Sequence, residues 1–153
     1  MKNKISLEVV SILITLVLLV LILFPIAEYY GEGYRFYTSN ILFIIVFLTY
    51  TRYIFLLKYT FLADLKWFKV VLVFLSIPLI LYGVDRLLEF QSYLDEVGFV
   101  DISGNDIDEA SKMATYTKSQ YVFFNSAALI VLVIMPFRMI MSVWRIVNKK
   151  GTV

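Results

Sequence analysis

Charge is missing from four long stretches of this chain. Val9–Ala27, Phe36–Thr51, Val70–Val84 and Ser119–Phe137 hold no Asp, Glu, Lys or Arg. A helix that crosses the hydrocarbon of a bilayer needs about 20 largely apolar residues. The first and fourth runs meet that length directly. The second and third meet it if a terminal charge snorkels: Arg52 ahead of Tyr53–Leu57, and Lys69 or Asp85 at the ends of the third. The expectation is an all-α, polytopic membrane protein of four transmembrane helices, over about residues 7–28, 38–58, 66–90 and 117–147, with an acidic loop at 91–116.

Hydrophobic residues make up 61% of the 153 positions, and mean hydropathy is +0.83. Little chain remains for a separate soluble domain, so residues 1–153 read as one membrane unit. There is no cysteine and no histidine. Disulfides, thiol nucleophiles and the usual zinc and haem ligation are therefore outside its chemistry. So is the side chain best suited to proton relay near neutral pH. No cofactor is expected.

The amino terminus imitates a signal peptide, with Lys2 and Lys4 ahead of an apolar run. The run is longer than the 7–15 residues, roughly, of a signal core. Phe24-Pro25-Ile26-Ala27 also lacks the small residue that cleavage at Ala27 would need. An uncleaved first helix is expected.

Orientation follows from the basic residues. With the amino terminus inside, the inner segments hold Lys2, Lys4, Arg52, Lys58, Lys66, Lys69, Arg138, Arg145, Lys149 and Lys150. The outer segments hold Arg35, Arg86, Lys112 and Lys118. Short loops rich in Lys and Arg stay cytoplasmic, so both termini are expected in the cytoplasm. A bacterial inner membrane is the expected location. Only two acids, Glu8 and Asp64, lie inside, against ten outside. A total of +2 thus conceals a net +8 on one side and −6 on the other.

Local signals refine the helices. Glu8, Ser11 and Thr15 share a face of the first, with Glu8 one turn from Lys4. Pro25 is placed to end that helix, and Glu28–Gly33 to turn outside it. Thr38 or Ser39 is a suitable cap for the second helix. Pro78 interrupts the third and frees the carbonyl of Phe74, so a kink there is expected, with Ser76 as a hydroxyl near enough to help. Asp101, Ser103 and Asn105 imitate the start of a calcium loop, but Asp106 and Lys112 occupy its glycine and glutamate positions. Asp106 and Glu109 are better read as the start of a helix. Tyr29, Tyr30, Tyr34 and Tyr37 have the composition of an aromatic belt.

No catalytic constellation emerges: no phosphate-cradling glycine loop and no nucleophile beside a base. The chain does not read as an enzyme. Arg52, Lys58, Lys66, Lys69, Arg138 and Arg145 form an inner basic belt interleaved with Tyr59, Trp67 and Trp144. That belt suits an anionic ligand, whether nucleotide, oligonucleotide or lipid headgroup. Asp85 and Glu89 would front an outer acidic vestibule that gathers cations. Asn125 and Ser126, beside Ala127 and Ala128, suit either close helix packing or a pore lining. Two functions fit. One is a homo-oligomeric channel or pore-forming protein conducting between protomers. The other is a non-catalytic accessory or scaffold subunit of a larger membrane complex.

Overall fold

The computed structural model of the chain describes residues 2–60, 65–96 and 107–148, apart from the side chains of 2–4, 58, 107 and 146. Four helices carry it: α1 Lys2–Tyr30, α2 Tyr37–Leu56, α3 Lys66–Glu96 and α4 Ile107–Asn148. Single 3-10 turns, Gly31–Gly33 and Leu57–Tyr59, follow α1 and α2. All four helices are long and apolar enough to cross a membrane.

Contacts between distant residues set an up-down-up-down order. Glu8 near the start of α1 meets Arg52 near the end of α2. Lys69 at the start of α3 meets Ser142 near the end of α4. These define one end of the bundle, the basic end. At the far end, Asn40 of α2 meets Gln120 of α4, and Phe90 of α3 stacks on Tyr121 of α4.

Helix α4 is the hub, packing along both α2 and α3. The core along it includes Phe43, Ile44, Phe90, Tyr121, Leu132, Met135 and Met139, all essentially without exposure. Gly83 on α3 lets α4 approach closely. A Cβ there would sit 2.8 Å from Leu129 Cδ2 and 3.3 Å from Phe43 Cε1. Helix α1 lies against this three-helix core more loosely, mainly along α2. Thirteen of its large apolar residues between Ile5 and Phe24 are exposed.

Several boundaries differ from the sequence expectation. Helix α1 does not stop at Pro25 but continues to Tyr30. Proline removes only the N–H that would reach Leu21. The next carbonyl, Ile22, accepts the Tyr116 hydroxyl at 2.9 Å, and Ile26 contributes a fully buried side chain beyond it. The helix ends where Gly31 takes the left-handed conformation, φ 51°, which only glycine adopts without strain. Tyr37 donates its hydroxyl to the Gly31 carbonyl at 2.7 Å and holds that turn.

Neither Thr38 nor Ser39 caps α2. Phe36 stands at the cap without a side-chain bond, and Ser39 Oγ instead donates to the Phe36 carbonyl at 3.0 Å. Helix α3 continues past Pro78, as a kinked helix also does, and reaches Glu96, beyond the expected 90. The Ser76 hydroxyl turns to Leu72 O at 2.8 Å, not to the carbonyl the proline frees. Helix α4 begins at Ile107, at the helix start expected from Asp106 and Glu109, and thus ten residues ahead of the membrane span expected from 117. Asp108 and Glu109 fill its first turn, where carboxylates complement the helix dipole, and residues 107–118 contain no glycine or proline to stop it. Asp101, Ser103, Asn105 and Asp106 lie outside the described residues. At about 1.5 Å per residue, the 31 residues of α3 and 42 of α4 exceed the roughly 30 Å of a bilayer core.

Candidate functional site: a buried ionic layer at the basic end

The basic belt separates into inward-turned and outward-turned groups. Arg52 Nη2 lies 2.5 Å from Glu8 Oε2, and both side chains are mostly buried, 15% and 9% exposed. Its guanidinium also sits over the Tyr53 ring, 4.7 Å from the centroid. Lys69 is fully buried and donates to Ser142 Oγ at 3.0 Å. Arg138 donates its Nε to the carbonyl of Ile54 at 3.1 Å. That carbonyl lies in the last turn of α2, where helical acceptors have no partner of their own. Lys66 and Arg145 are exposed. The side chain of Lys58, and all of Lys149 and Lys150, lie outside the described residues.

Lys69 therefore does not snorkel from the third helix as its sequence position suggested; its ammonium is held inside. A buried ammonium is costly unless bonded, so this end needs its internal polar partners. Likewise Glu8 turns across to α2, forty-four positions along the chain, to take Arg52 as its partner. Nothing local in the sequence pairs these two. The aromatic residues behave differently: Trp67, Trp144 and Tyr59 are 84%, 65% and 59% exposed.

Two grooves open beside the layer. One, of about 380 Å³ between α3 and α4, has Lys69 at its base and Val73, Met139, Val143 and Trp144 among its walls. The other, of about 260 Å³ between α1 and α2, is walled by Leu7, Val10, Ile14 and Leu56, with Glu8 and Arg52 facing it.

The far end is sealed by aromatics. Phe90 and Tyr121 stack with centroids 4.0 Å apart, and Phe36 stands edge-on to both. Tyr121 donates to Ser39 Oγ at 3.0 Å. Asn40 and Gln120 exchange two amide hydrogen bonds, 2.9 and 2.8 Å. Burial lifts the Tyr34 phenol above its ordinary pKa, so its hydroxyl stays neutral. Glu89 is bound by Arg35 at 2.9 Å and by Arg86. Asp85 is largely exposed and 3.3 Å from Arg86. Of the two vestibule acids, then, Glu89 is neutralised by two arginines and Asp85 by part of one.

Asn125 is fully buried and donates to the Gly83 carbonyl at 3.4 Å, with Ser126 half-buried beside it and Ala128 fully buried. This patch faces α3. Sequence reasoning singled out Asn125 but missed its partner Gly83, as well as Asn40 and Gln120. The signals available were an isolated glycine within an apolar run and two amides near span ends.

Comparison with family models, with curated proteins and with solved structures finds no match for this chain.

Proposed function

We propose that this chain is a four-span integral membrane protein with both termini cytoplasmic, in a bacterial inner membrane. Its role on this reading is a non-catalytic accessory or scaffold subunit, which assembles with copies of itself or with other chains through the outer faces of its spans. One observation carries the reading. Within residues 7–24, 39–56, 70–84 and 120–144, every exposed residue is apolar. The polar side chains of those stretches are buried or half-buried, bonding other side chains (Glu8–Arg52, Asn40–Gln120, Ser39–Tyr121) or backbone carbonyls (Thr15, Ser76, Asn125, Arg138), with a few atoms left unpartnered. Such a surface suits lipid and apolar partners, whereas a water-filled path between copies needs a hydrophilic stripe on the outside of a span. Among the described residues, the fully buried Phe43, Tyr121, Leu132, Met135 and Met139 fill the space between the helices.

A homo-oligomeric channel is the second reading. It is favoured by the exposed acids at the far end, Glu28, Glu32, Asp85, Asp95, Glu96, Asp108 and Glu109, which would raise the local cation concentration. Reconstituted vesicles separate the two. The subunit reading expects a detergent particle larger than one 17.8 kDa chain and no ion flux through inserted protein, with or without nucleotide or anionic lipid. Flux that responds to Arg52→Ala or Arg138→Ala would overturn it in favour of the channel.

A further inference from the structure

The Glu8–Arg52 pair is only half satisfied by the protein. Glu8 Oε2 is taken by Arg52, but its Oε1 is buried with no hydrogen-bond partner. Arg52 Nε is in the same position: buried and unpartnered. Glu8 as a whole is 7% exposed. Both residues face the groove between α1 and α2, whose other lining is aliphatic at Leu7, Val10, Ile14 and Leu56 and hydroxyl-bearing at Ser11, Tyr59 and Thr60. Unmet polar atoms in such surroundings cost free energy that a suitable ligand recovers.

The occupant is defined by what is missing. Glu8 Oε1 needs an N–H or O–H donor, and a cationic one suits a carboxylate best. Arg52 Nε needs an acceptor, and an anionic one suits it best. The walls, Leu7, Val10, Ile14 and Leu56, need an apolar chain. They lie 49–55% exposed on the bundle's side, beside the largely buried polar pair. Donor, acceptor and chain must arrive together, with the two polar groups within a few bonds of each other. A simple anionic lipid brings the acceptor and the chain but leaves Glu8 facing negative charge. A simple amine brings only the donor.

We propose that this groove is a binding site for a phospholipid with a phosphoethanolamine headgroup. Its primary ammonium donates to Glu8 Oε1, its phosphate accepts from Arg52 Nε, and an acyl chain lies along α1. Glu8 is in the second turn of the first helix and Arg52 in the last two turns of the second. Both therefore lie where spans leave the hydrocarbon, at the depth of a lipid headgroup. The lipid also gives α1 a reason to stay docked, since its own contacts with the bundle are few. The inference rests on the membrane reading, and not on the choice between subunit and channel.

The discriminating comparison is between ethanolamine and choline headgroups. The two share phosphate and chains, but the quaternary ammonium of choline has no N–H. The full chain in detergent is titrated with each lipid and with phosphatidylglycerol, and binding is read by native mass spectrometry and thermal unfolding. The ethanolamine lipid is expected to bind about tenfold tighter than the choline lipid, the worth of one charge-assisted hydrogen bond. Its binding should also raise the melting temperature. Glu8→Gln should abolish the headgroup preference. Ile14→Trp leaves the ion pair intact and fills the groove; it should lose lipid binding while keeping the lipid-free melting temperature. Ser6→Ala, on an exposed residue outside the groove, should bind as wild type. Equal affinity for the two headgroups, or a preference that survives both groove variants, would overturn the proposal. Failure of the wild type to insert into vesicles would instead overturn the membrane reading, and this site with it.

Discussion

Gly83 illustrates how one residue's absence of a side chain fixes a helix contact. Its carbonyl accepts from Asn125 and its Cα faces Leu129 and Phe43. With Leu129 Cδ2 only 2.8 Å from where a Cβ would be, Gly83→Ala forces Leu129 to shift, and Gly83→Val forces the helices apart. Overpacking of this kind costs about 1–3 kcal/mol, so thermal unfolding in detergent should fall for alanine and fall further for valine. Because the displaced atom belongs to Leu129, truncating that side chain should absorb the new methyl. Leu129→Ala combined with Gly83→Ala is then expected to be less damaging than the sum of the two singles. Simple additivity would mean that the glycine serves backbone conformation, not closeness. At this scale the sequence was only partly readable. A glycine in an apolar run announces that something approaches; which residue approaches is a property of the packed bundle. The same holds for Glu8, whose nearest cation in the chain is Lys4 and whose actual partner lies on another helix.

Between elements, α2 and α4 are joined at the far end by the paired amides of Asn40 and Gln120, both buried. Each amide supplies one donor and one acceptor to the other, so neither is left over. Interhelical bonds of this kind are worth about 0.6–2 kcal/mol in membrane bundles. Breaking the exchange from one side costs more than removing it whole, because the survivor is stranded. Asn40→Leu and Gln120→Leu are each expected to lower thermal stability by about 1–3 kcal/mol, and the double substitution to recover part of the loss. Two singles with no effect would show that water reaches the pair. The existence and order of the helices were legible from the uncharged runs alone, since a run of that length in lipid has few alternatives to a helix. Helix ends were harder. The acidic segment before residue 117 reads as an outer loop by charge, but Asp106 and Glu109 within it signal a helix start, and α4 begins there at Ile107. The lack of glycine and proline over 107–118 and the carboxylates at the dipole's positive end carry that helix unbroken into the span. Pro25 failed as a stop signal for a related reason: the cost of one lost bond is small when tyrosine hydroxyls and a buried isoleucine hold the helix beyond it.

For the whole molecule, the separation of charge along the bundle axis carries the orientation. Exposed Lys66 and Arg145 mark the end that also holds Arg52, Lys69 and Arg138, while exposed acids crowd the other. Translocating the basic end would move most of the chain's cations across the membrane, whereas the far end carries few. The start of α1 and the end of α4 lie at the basic end, so both termini are expected in the cytoplasm. The chain has no cysteine, so a single introduced thiol reports without background. Ser92→Cys, exposed near the end of α3, should react with an impermeant maleimide added to intact cells. Lys66→Cys, exposed at the start of the same helix, should react only after the membrane is opened. The two sites share one helix, so their contrast tests both whether α3 crosses the bilayer and which way it points. The reverse pattern would invert the topology and move the Glu8–Arg52 groove to the outer leaflet. Labelling of both sites in intact cells would mean that α3 does not cross, and the four-span arrangement would fall with it.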